Sequence, residues 1–379
     1  MNIAIIFLSI VTLYYCGAVV FLWRGLHRLR PSGPPQNLAY SVIIAARNEE
    51  QVIGRCLDSV FGQSLPQERY EVIVVNDRSG DRTADICEEY RRRYPALSHV
   101  VIPETPPGVS PKKHAVAAGI ALARNEVIVL TDADCVVPAD WLAVIDRNFT
   151  GETDVVQGVT AYEYVPGMGR FFFNMQAVDF CSHGVVAAAA MGAGLPLNSN
   201  ANNFAFRKKT YDSAQGYGGA RKVVSGDDDL LLQRMAQKRK GSVSFMADPA
   251  GAVITRPTPT LRGMFEQRKR WGSKTVNYGP RQVVFLSGVF LFYCGTAAAF
   301  AAGFFSPVFF PVFLAMFASK VIGEYLLMLP GTALLNQKQL RAFILPASLL
   351  QLPLVLAAVV SGVFGKFSWK GTRFRRVVK

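Results

Sequence analysis

Four stretches of this chain are too long and too poor in charge to fold as ordinary surface segments. Residues 1–23, 283–304 and 342–365 carry no charged side chain, and 307–329 contains only Lys320 and Glu324. Each approaches or exceeds the ~20 apolar residues that a helix needs to cross a hydrocarbon core about 30 Å thick. Half of the 379 residues are hydrophobic and 18% are charged, a balance more apolar than that of most soluble proteins. Residues 1–23 read as an N-terminal transmembrane anchor and 283–365 as C-terminal membrane helices. Arg24, His27, Arg28 and Arg30 follow the first stretch at once. A cleaved signal peptide carries its positive charge before the apolar run, so the pattern predicts an uncleaved anchor that exits into the cytoplasm.

Lys320 and Glu324 stand one helical turn apart and can neutralise each other within a bundle; the alternative is two side chains snorkelling from a helix end. One anchor before the soluble middle and three segments after it would place both chain ends outside. The tail 366–379 carries six Lys or Arg and no acid, and its charge calls for the cytoplasm. Pro307, Pro311, Pro346 and Pro353 predict that one segment is broken, re-entrant or laid along the interface, which would restore the parity.

The net charge of +14 favours anionic partners, and in a membrane protein these are lipid headgroups or a diphosphate substrate rather than nucleic acid. The six cysteines (Cys16, Cys56, Cys87, Cys135, Cys181, Cys294) are scattered, with no pair at metal-ligand spacing, and read as reduced thiols or small core residues.

A basic linker, 24–39, leads to a polar middle, 40–255, in which short apolar runs end in acids. Tyr40 to Ala45 is followed by Arg47-Asn48-Glu49-Glu50, Glu71 to Val75 by Asn76-Asp77-Arg78-Ser79-Gly80-Asp81, and Val127 to Leu130 by Thr131-Asp132-Ala133-Asp134. Amphipathic stretches to Phe61 and from Thr83 to about Arg93 alternate with them, which predicts an α/β, largely parallel, doubly wound sheet with helices on both faces. Ligands of such sheets bind beyond the carboxyl ends of the strands, where each polar cluster falls.

Asp132 and Asp134 reach one edge from a rigid strand and suit a hard divalent cation that completes its shell with phosphate oxygens; a turn-initiating Asp pair is the alternative. Asp77 also ends a strand and can accept hydrogen bonds from a base or ribose, with Asp81 as helix cap. Asp227, Asp228 and Asp229 precede an amphipathic helix. Dipole and capping account for two of the three, and a crowded carboxylate suits a general base. Gln267, Arg270 and Trp271 lie in an interfacial segment, 256–282. They can meet anionic headgroups and an aromatic belt, or a diphosphate and an acceptor ring.

Together, and in this order, the motifs resemble the family-2 glycosyltransferases, inverting enzymes with a GT-A fold (a Rossmann-like mixed sheet), here joined to transmembrane helices. SVIIAARNEEQVIGRCLDSV resembles their first strand and helix, EVIVVNDRSGDRTADI their nucleotide-binding strand, and LTDADCVVPADWL their Asp-x-Asp region. NNFAFRKKTY, SGDDDLLLQRM and QRKRW resemble their acceptor-loop, general-base and Gln-x-x-Arg-Trp motifs. The resemblance implies that Arg47, Glu49 and Asp77 hold the nucleoside, that Lys113 lies near the diphosphate, and that Asp132 and Asp134 serve a Mn or Mg ion, Asp134 more directly. It makes Asp228 the base, with Asp227 and Asp229 one register away, and places Asn203 in the acceptor loop. Gln267, Arg270 and Trp271 would close the site over the donor and meet the acceptor. The family usually has Pro where Ala45 stands, which leaves the shape of that loop open.

The Gln-x-x-Arg-Trp motif resembles both processive polysaccharide synthases and ceramide glucosyltransferases. The short chain and few helices favour transfer from a nucleotide-diphosphate sugar, by analogy a UDP-sugar, to a lipid or other membrane-embedded hydroxyl, with the catalytic domain facing the cytoplasm. A transport or sensor protein with a nucleotide-sugar-binding domain would have no use for Asp228 together with the Gln-x-x-Arg-Trp motif.

Overall fold

The strand-forming runs are rich in Val and Ile and are buried on both faces, as expected of a parallel sheet covered by helices. The computed structural model describes residues 2–239, 241–369 and 372–375. The chain divides into a sheet unit, 29–167 with 196–257, and a helical unit, 1–28 with 168–195 and 258–376.

The sheet unit contains β1 (Tyr40–Ala46), α2 (Ile53–Phe61), β2 (Tyr70–Asp77), α3 (Thr83–Arg93), β3 (Leu97–Ile102), α4 (Pro111–Leu122), β4 (Val127–Asp132), α5 (Trp141–Asn148), β5 (Val155–Gly158) and β6 (Thr160–Tyr162). After the chain returns from the helical unit it adds β7 (Phe204–Arg207), α7 (Lys208–Ser213), α8 (Asp229–Ala236), β8 (Val243–Met246) and β9 (Val253–Thr255). Seven strands form one sheet in the order β3-β2-β1-β4-β7-β5-β8, and β6 pairs with β9 separately. β1 pairs in parallel with β2 and β4, whereas β7 runs antiparallel between β4 and β5, so the sheet is mixed.

Alternation along β1 sends Tyr40, Val42, Ile44 and Ala46 into a core with α2 and α5, while Ile43 faces α4 across Gly119. A Cβ at Gly119 would lie 2.6 Å from Ile43, so the glycine lets α4 lie close against the sheet. The linker is not slack where it meets this sheet. Asp146 of α5 accepts the backbone N–H groups of Gln36, Asn37 and Leu38, the Tyr40 hydroxyl at 2.6 Å and Arg69 at 2.9 Å. Burial opposes its ionisation, but these donors together hold the carboxyl below its ordinary range.

The helical unit contains α1 (Asn2–Leu26), α6 (Arg170–Gly192), α9 (Leu261–Ser273), α10 (Pro280–Gly303), α11 (Phe309–Leu334), α12 (Ile344–Phe364) and the hairpin β10 (Lys366–Trp369) with β11 (Thr372–Arg375). Four of its segments, Ile3–Leu26, Pro280–Gly303, Phe309–Leu334 and Lys338–Phe364, are long and apolar enough to cross a membrane. Segment 168–195, which the sequence reading leaves inside 40–255, groups with these helices instead.

Pro311 and Pro346 fall in first turns, where a missing N–H costs nothing, and α12 continues through Pro353. No helix is broken at the prolines read as interruptions. The path of α12 is unusual in another way. Its first turns follow a 3₁₀ segment whose Arg341 bonds Thr332 and Leu329 of α11, and its last turns run along α9. There, a Cβ on Gly362 would lie 2.5 Å from the Lys269 carbonyl, and one on Gly272 would lie 3.2 Å from that of Ala358.

Lys320 is 0% exposed and pairs with Glu324 at 2.5 Å. Its ammonium also reaches the Ser348 carbonyl at 2.8 Å, the Ser348 hydroxyl bonds Glu324, and Tyr293 bonds Gln351 at 3.1 Å. The charges are matched inside the helices rather than snorkelling out. Lys320→Met alone is expected to destabilise the protein by about 3–5 kcal/mol, because Glu324 is left uncompensated, and Lys320→Met with Glu324→Leu should recover most of that loss. Thermal unfolding in detergent reads the difference, and a double variant no more stable than the single one would count against a matched pair.

Candidate active site

The loops after β1 and β2 are laced into one rim. Asn48 and Arg78 both adopt left-handed backbone conformations, φ 53° and 56°. The Asn48 side-chain oxygen accepts from Gly80 N–H, Asn48 N–H donates to Ser79 Oγ, and Glu49 N–H donates to Thr83 Oγ1. Asp81 accepts from the N–H groups of both Glu50 and Thr83 and so clamps the neighbouring loop, but the N-cap position of α3 falls on Arg82, one residue later than the sequence predicts. An Asn at position 48 is therefore explained by geometry, since Asn tolerates this region and bonds locally. Asp77 closes β2, buried, with Arg78 at 2.9 Å and Arg47 at 3.8 Å. Ala45 stays in β1, in register with Val75 on one side and Asp132 on the other.

Asp132 is the last residue of β4, and Asp134 follows at the surface. Desolvation, then the fields of Asp132 and Glu49, raise the Asp134 carboxyl above its ordinary range, with Lys112 pulling the other way. Such crowding of Glu49, Asp132 and Asp134 is what a divalent cation relieves, so the donor set fits one. Among the described residues no three His, Cys, Asp or Glu side chains converge as a complete ligand cage. Oxygens from a bound diphosphate would have to supply the remaining ligands.

Lys112 of α4 joins two parts of the site that are far apart in sequence. Its ammonium lies 2.8 Å from Asp132 and 2.9 Å from Asp227. Desolvation opposes its charge, but the two carboxylates prevail and raise its pKa. Lys113, the residue carried over from the resemblance, turns the other way. It is 1% exposed and donates to the carbonyls of Ala220, Val223 and Ser225 at 2.8–3.0 Å. Lys113 thus braces the segment leading to the acidic triplet, while Lys112 faces the acids.

The triplet divides three ways. Asp227 meets Lys112; Asp228 caps α8, accepting from Asp229 N–H at 2.7 Å and Ala201 N–H at 3.1 Å; Asp229 is 0% exposed and accepts from Ser199 N–H at 2.6 Å. Asp228 is 8% exposed, whereas Asp229 is shut inside. Asn203 does not reach into an acceptor space. Its side chain accepts from Trp141 Nε1 at 2.9 Å and donates to the carbonyls of Val159 and Gly251, at 2.6 and 2.9 Å, so all but one of its hydrogen-bonding positions are used inside the sheet unit.

Gln267, Arg270 and Trp271 lie on α9 in the helical unit. The intervening Arg268 touches two of them, Gln267 and Trp271, and plays no part in the sequence-based expectation. It is 6% exposed, bonds Asp179 of α6 at 2.6 Å, donates to the Gln267 side-chain oxygen at 2.6 Å, and stacks 4.1 Å over the Trp271 ring.

With this geometry in view, residues 35–273 match the model of a family described as glycosyltransferase-like family 2. The chain belongs to that family. Among curated relatives, a probable glycosyltransferase YdaM of Bacillus subtilis is 40% identical over 94 residues, 25% of this chain and 22% of that one. A β-monoglucosyldiacylglycerol synthase of Synechocystis is 26% identical over 243 residues, 61% of this chain and 46% of that one. This chain spans less than half the length of either relative. The solved structure of the mannosyltransferase PcManGT from Pyrobaculum calidifontis, in complex with GDP-Man and Mn2+, aligns with a TM-score of 0.60 at 20% identity, covering 95% of this chain and 97% of that one. The family-2 chain described here thus has the GT-A fold joined to apolar helices.

Proposed function

We propose that the chain is a membrane-bound inverting glycosyltransferase that moves one sugar from a UDP-sugar to the hydroxyl of a lipid or other membrane-embedded acceptor. The observation that carries this reading is the meeting of Lys112, Asp132 and Asp227, with Asp228 next along the chain, beyond a strand's carboxyl end. One edge of the sheet then offers a cation for a diphosphate, carboxylates for a metal and a carboxylate for a proton. The lipid acceptor is supported by the four apolar helices and by the printed activity of the diacylglycerol-glucosylating relative.

In this mechanism Asp77 and Arg47 hold the nucleoside, and Lys112 leaves its acid partners to meet the diphosphate. Asp228 accepts the proton of the acceptor hydroxyl as its oxygen bonds to the anomeric carbon. The bond from that carbon to the diphosphate breaks on the opposite face, so nucleoside diphosphate departs and the configuration inverts. A divalent cation, held by Asp134 and Asp132, would supply Lewis-acid stabilisation of the leaving group. Trp271, fixed by Arg268, offers the acceptor a flat surface, and Gln267 and Arg270 accompany it. The catalytic unit is assigned to the cytoplasmic face of the cell membrane on the strength of Arg24 and Arg28, which follow the apolar part of the first segment at once.

The deciding assay is release of nucleoside diphosphate by the purified chain with Mn2+ or Mg2+, across UDP- and GDP-sugars with membrane lipid extract, followed by mass spectrometry. A lipid carrying one added sugar is expected. A ladder of sugars would replace the single-transfer reading with a processive one, and no turnover with any donor would refute the activity.

A further inference from the structure

We propose that a groove along α1 is a binding site for an anionic membrane phospholipid, with the lipid phosphate on Arg24 and Arg28. The groove has a volume of about 480 Å3 and is lined by Cys16, Gly17, Val20, Phe21, Arg24 and Arg28, with Ala193 just beyond α6 as its other wall. Steps of four residues, 16-20-24-28 and 17-21, put these side chains on one face of the helix. Along that face the lining changes from apolar to doubly cationic over roughly 16 Å of rise. The apolar part lies within the membrane-crossing segment Ile3–Leu26, and Arg28 stands just past its end. An amphiphile with an anionic head matches this order, whereas a soluble phosphate compound would find no polar partner below Arg24.

Two further observations mark the groove as a site rather than a gap. A Cβ built on Gly17 meets no atom within 4 Å, so the apolar end is open where a larger side chain would fill it. Nearer the arginines, a Cβ on Gly25 would fall 1.9 Å from the Ala189 carbonyl, so α6 is seated against α1 and the far wall is fixed. Charge supplies the rest. The helical unit holds three acids, and each is engaged: Asp179 with Arg268, Glu266 with Lys269, and Glu324 with Lys320. Arg24 and Arg28 are exposed, and among the described residues they have no acidic partner. Arg281 lines an adjoining apolar groove that shares Phe21, adding a third cation nearby. Guanidinium groups bind phosphate oxygens in a fork, and basic residues at a membrane boundary draw anionic headgroups. This site is independent of the sugar-transfer reading.

Native mass spectrometry of the full-length chain in detergent tests it, using dioleoylphosphatidylglycerol, dioleoylphosphatidylcholine and inorganic phosphate as probes. The phosphatidylglycerol adduct should exceed that of phosphatidylcholine by about tenfold or more, and the double variant Arg24→Gln/Arg28→Gln should remove the preference. Gly17→Leu sets its Cβ in open space, with no atom within 4 Å, and should weaken the same adduct without lowering the unfolding temperature. Millimolar inorganic phosphate should not displace the lipid. Equal binding of the two lipids, displacement by phosphate, or full retention in Gly17→Leu would each overturn the proposal.

Discussion

Asp228→Asn is expected to lower turnover by about 10²–10⁴-fold, the usual contribution of a general base, while nucleotide binding and folding survive. The substitution separates chemistry from structure because Asn is as good a helix cap as Asp. Its side-chain oxygen can still accept the Asp229 N–H that Asp228 holds at 2.7 Å, while the NH2 that replaces the other oxygen cannot accept from Ala201 N–H, so a modest fall in unfolding temperature accompanies the rate loss. Asp229→Asn supplies the contrast. That side chain is fully buried on Ser199 N–H, so its loss should appear as a lower unfolding temperature rather than as a pure rate defect. Product formation at saturating donor, measured beside nucleotide titration and thermal unfolding, distinguishes the two. An Asp228→Asn protein that keeps normal turnover would move the base to Asp227.

The second large effect separates adjacent lysines. Lys112→Met should reduce kcat/KM for the donor by roughly 10²–10³-fold, the range for removing one charge-stabilising group from a reaction centre. Its removal leaves Asp132 and Asp227 without their shared cation at the edge where a diphosphate would have to sit. Lys113→Met should instead cost about 2–4 kcal/mol of stability, because the Val223 and Ser225 carbonyls lose a charged donor, at about 1–3 kcal/mol for each unmet group, while that of Ala220 keeps the Val223 N–H. The pair is read by steady-state kinetics together with thermal unfolding. A stable, inactive Lys113→Met beside an active Lys112→Met would reverse the assignment of the two residues.

Neighbouring residues on a helix point about 100° apart, and both of these are lysines, so no pattern in the sequence distinguishes them. Which one meets Asp132 depends on the segment 220–225, more than a hundred positions away, whose carbonyls capture Lys113. The strand ends were legible for a simpler reason. Runs such as YEVIVVND and VIVLTD have a buried apolar body and an acid at the carboxyl end, and β2 and β4 stop at those acids. Asn203 misled because an amide near a site resembles a ligand until its partners, Trp141, Val159 and Gly251, are located. Asp146 gave no sign of its role either, since its donors lie more than seventy residues upstream in the linker, at Tyr40 and at Arg69. Arg268 was hidden within its own motif: a basic residue between two recognised positions reads as solvent-facing until Asp179 is found on α6.

Helix α6 interrupts the sheet unit in sequence and spends its side chains elsewhere. Its Ala189 backbone meets Gly25, its Val185 packs on Gly331, and its Asp179 holds Arg268. Cutting the gene at the outer boundaries of the sheet unit, 29 and 257, would therefore yield a fragment that still carries α6 but lacks α1, α9 and α11, the helices that cover it. Such a truncation is expected to be sticky and poorly expressed. Preparations that keep the whole chain in detergent or lipid avoid that exposed face, and a soluble version would require residues 168–195 to be replaced by a short polar connection.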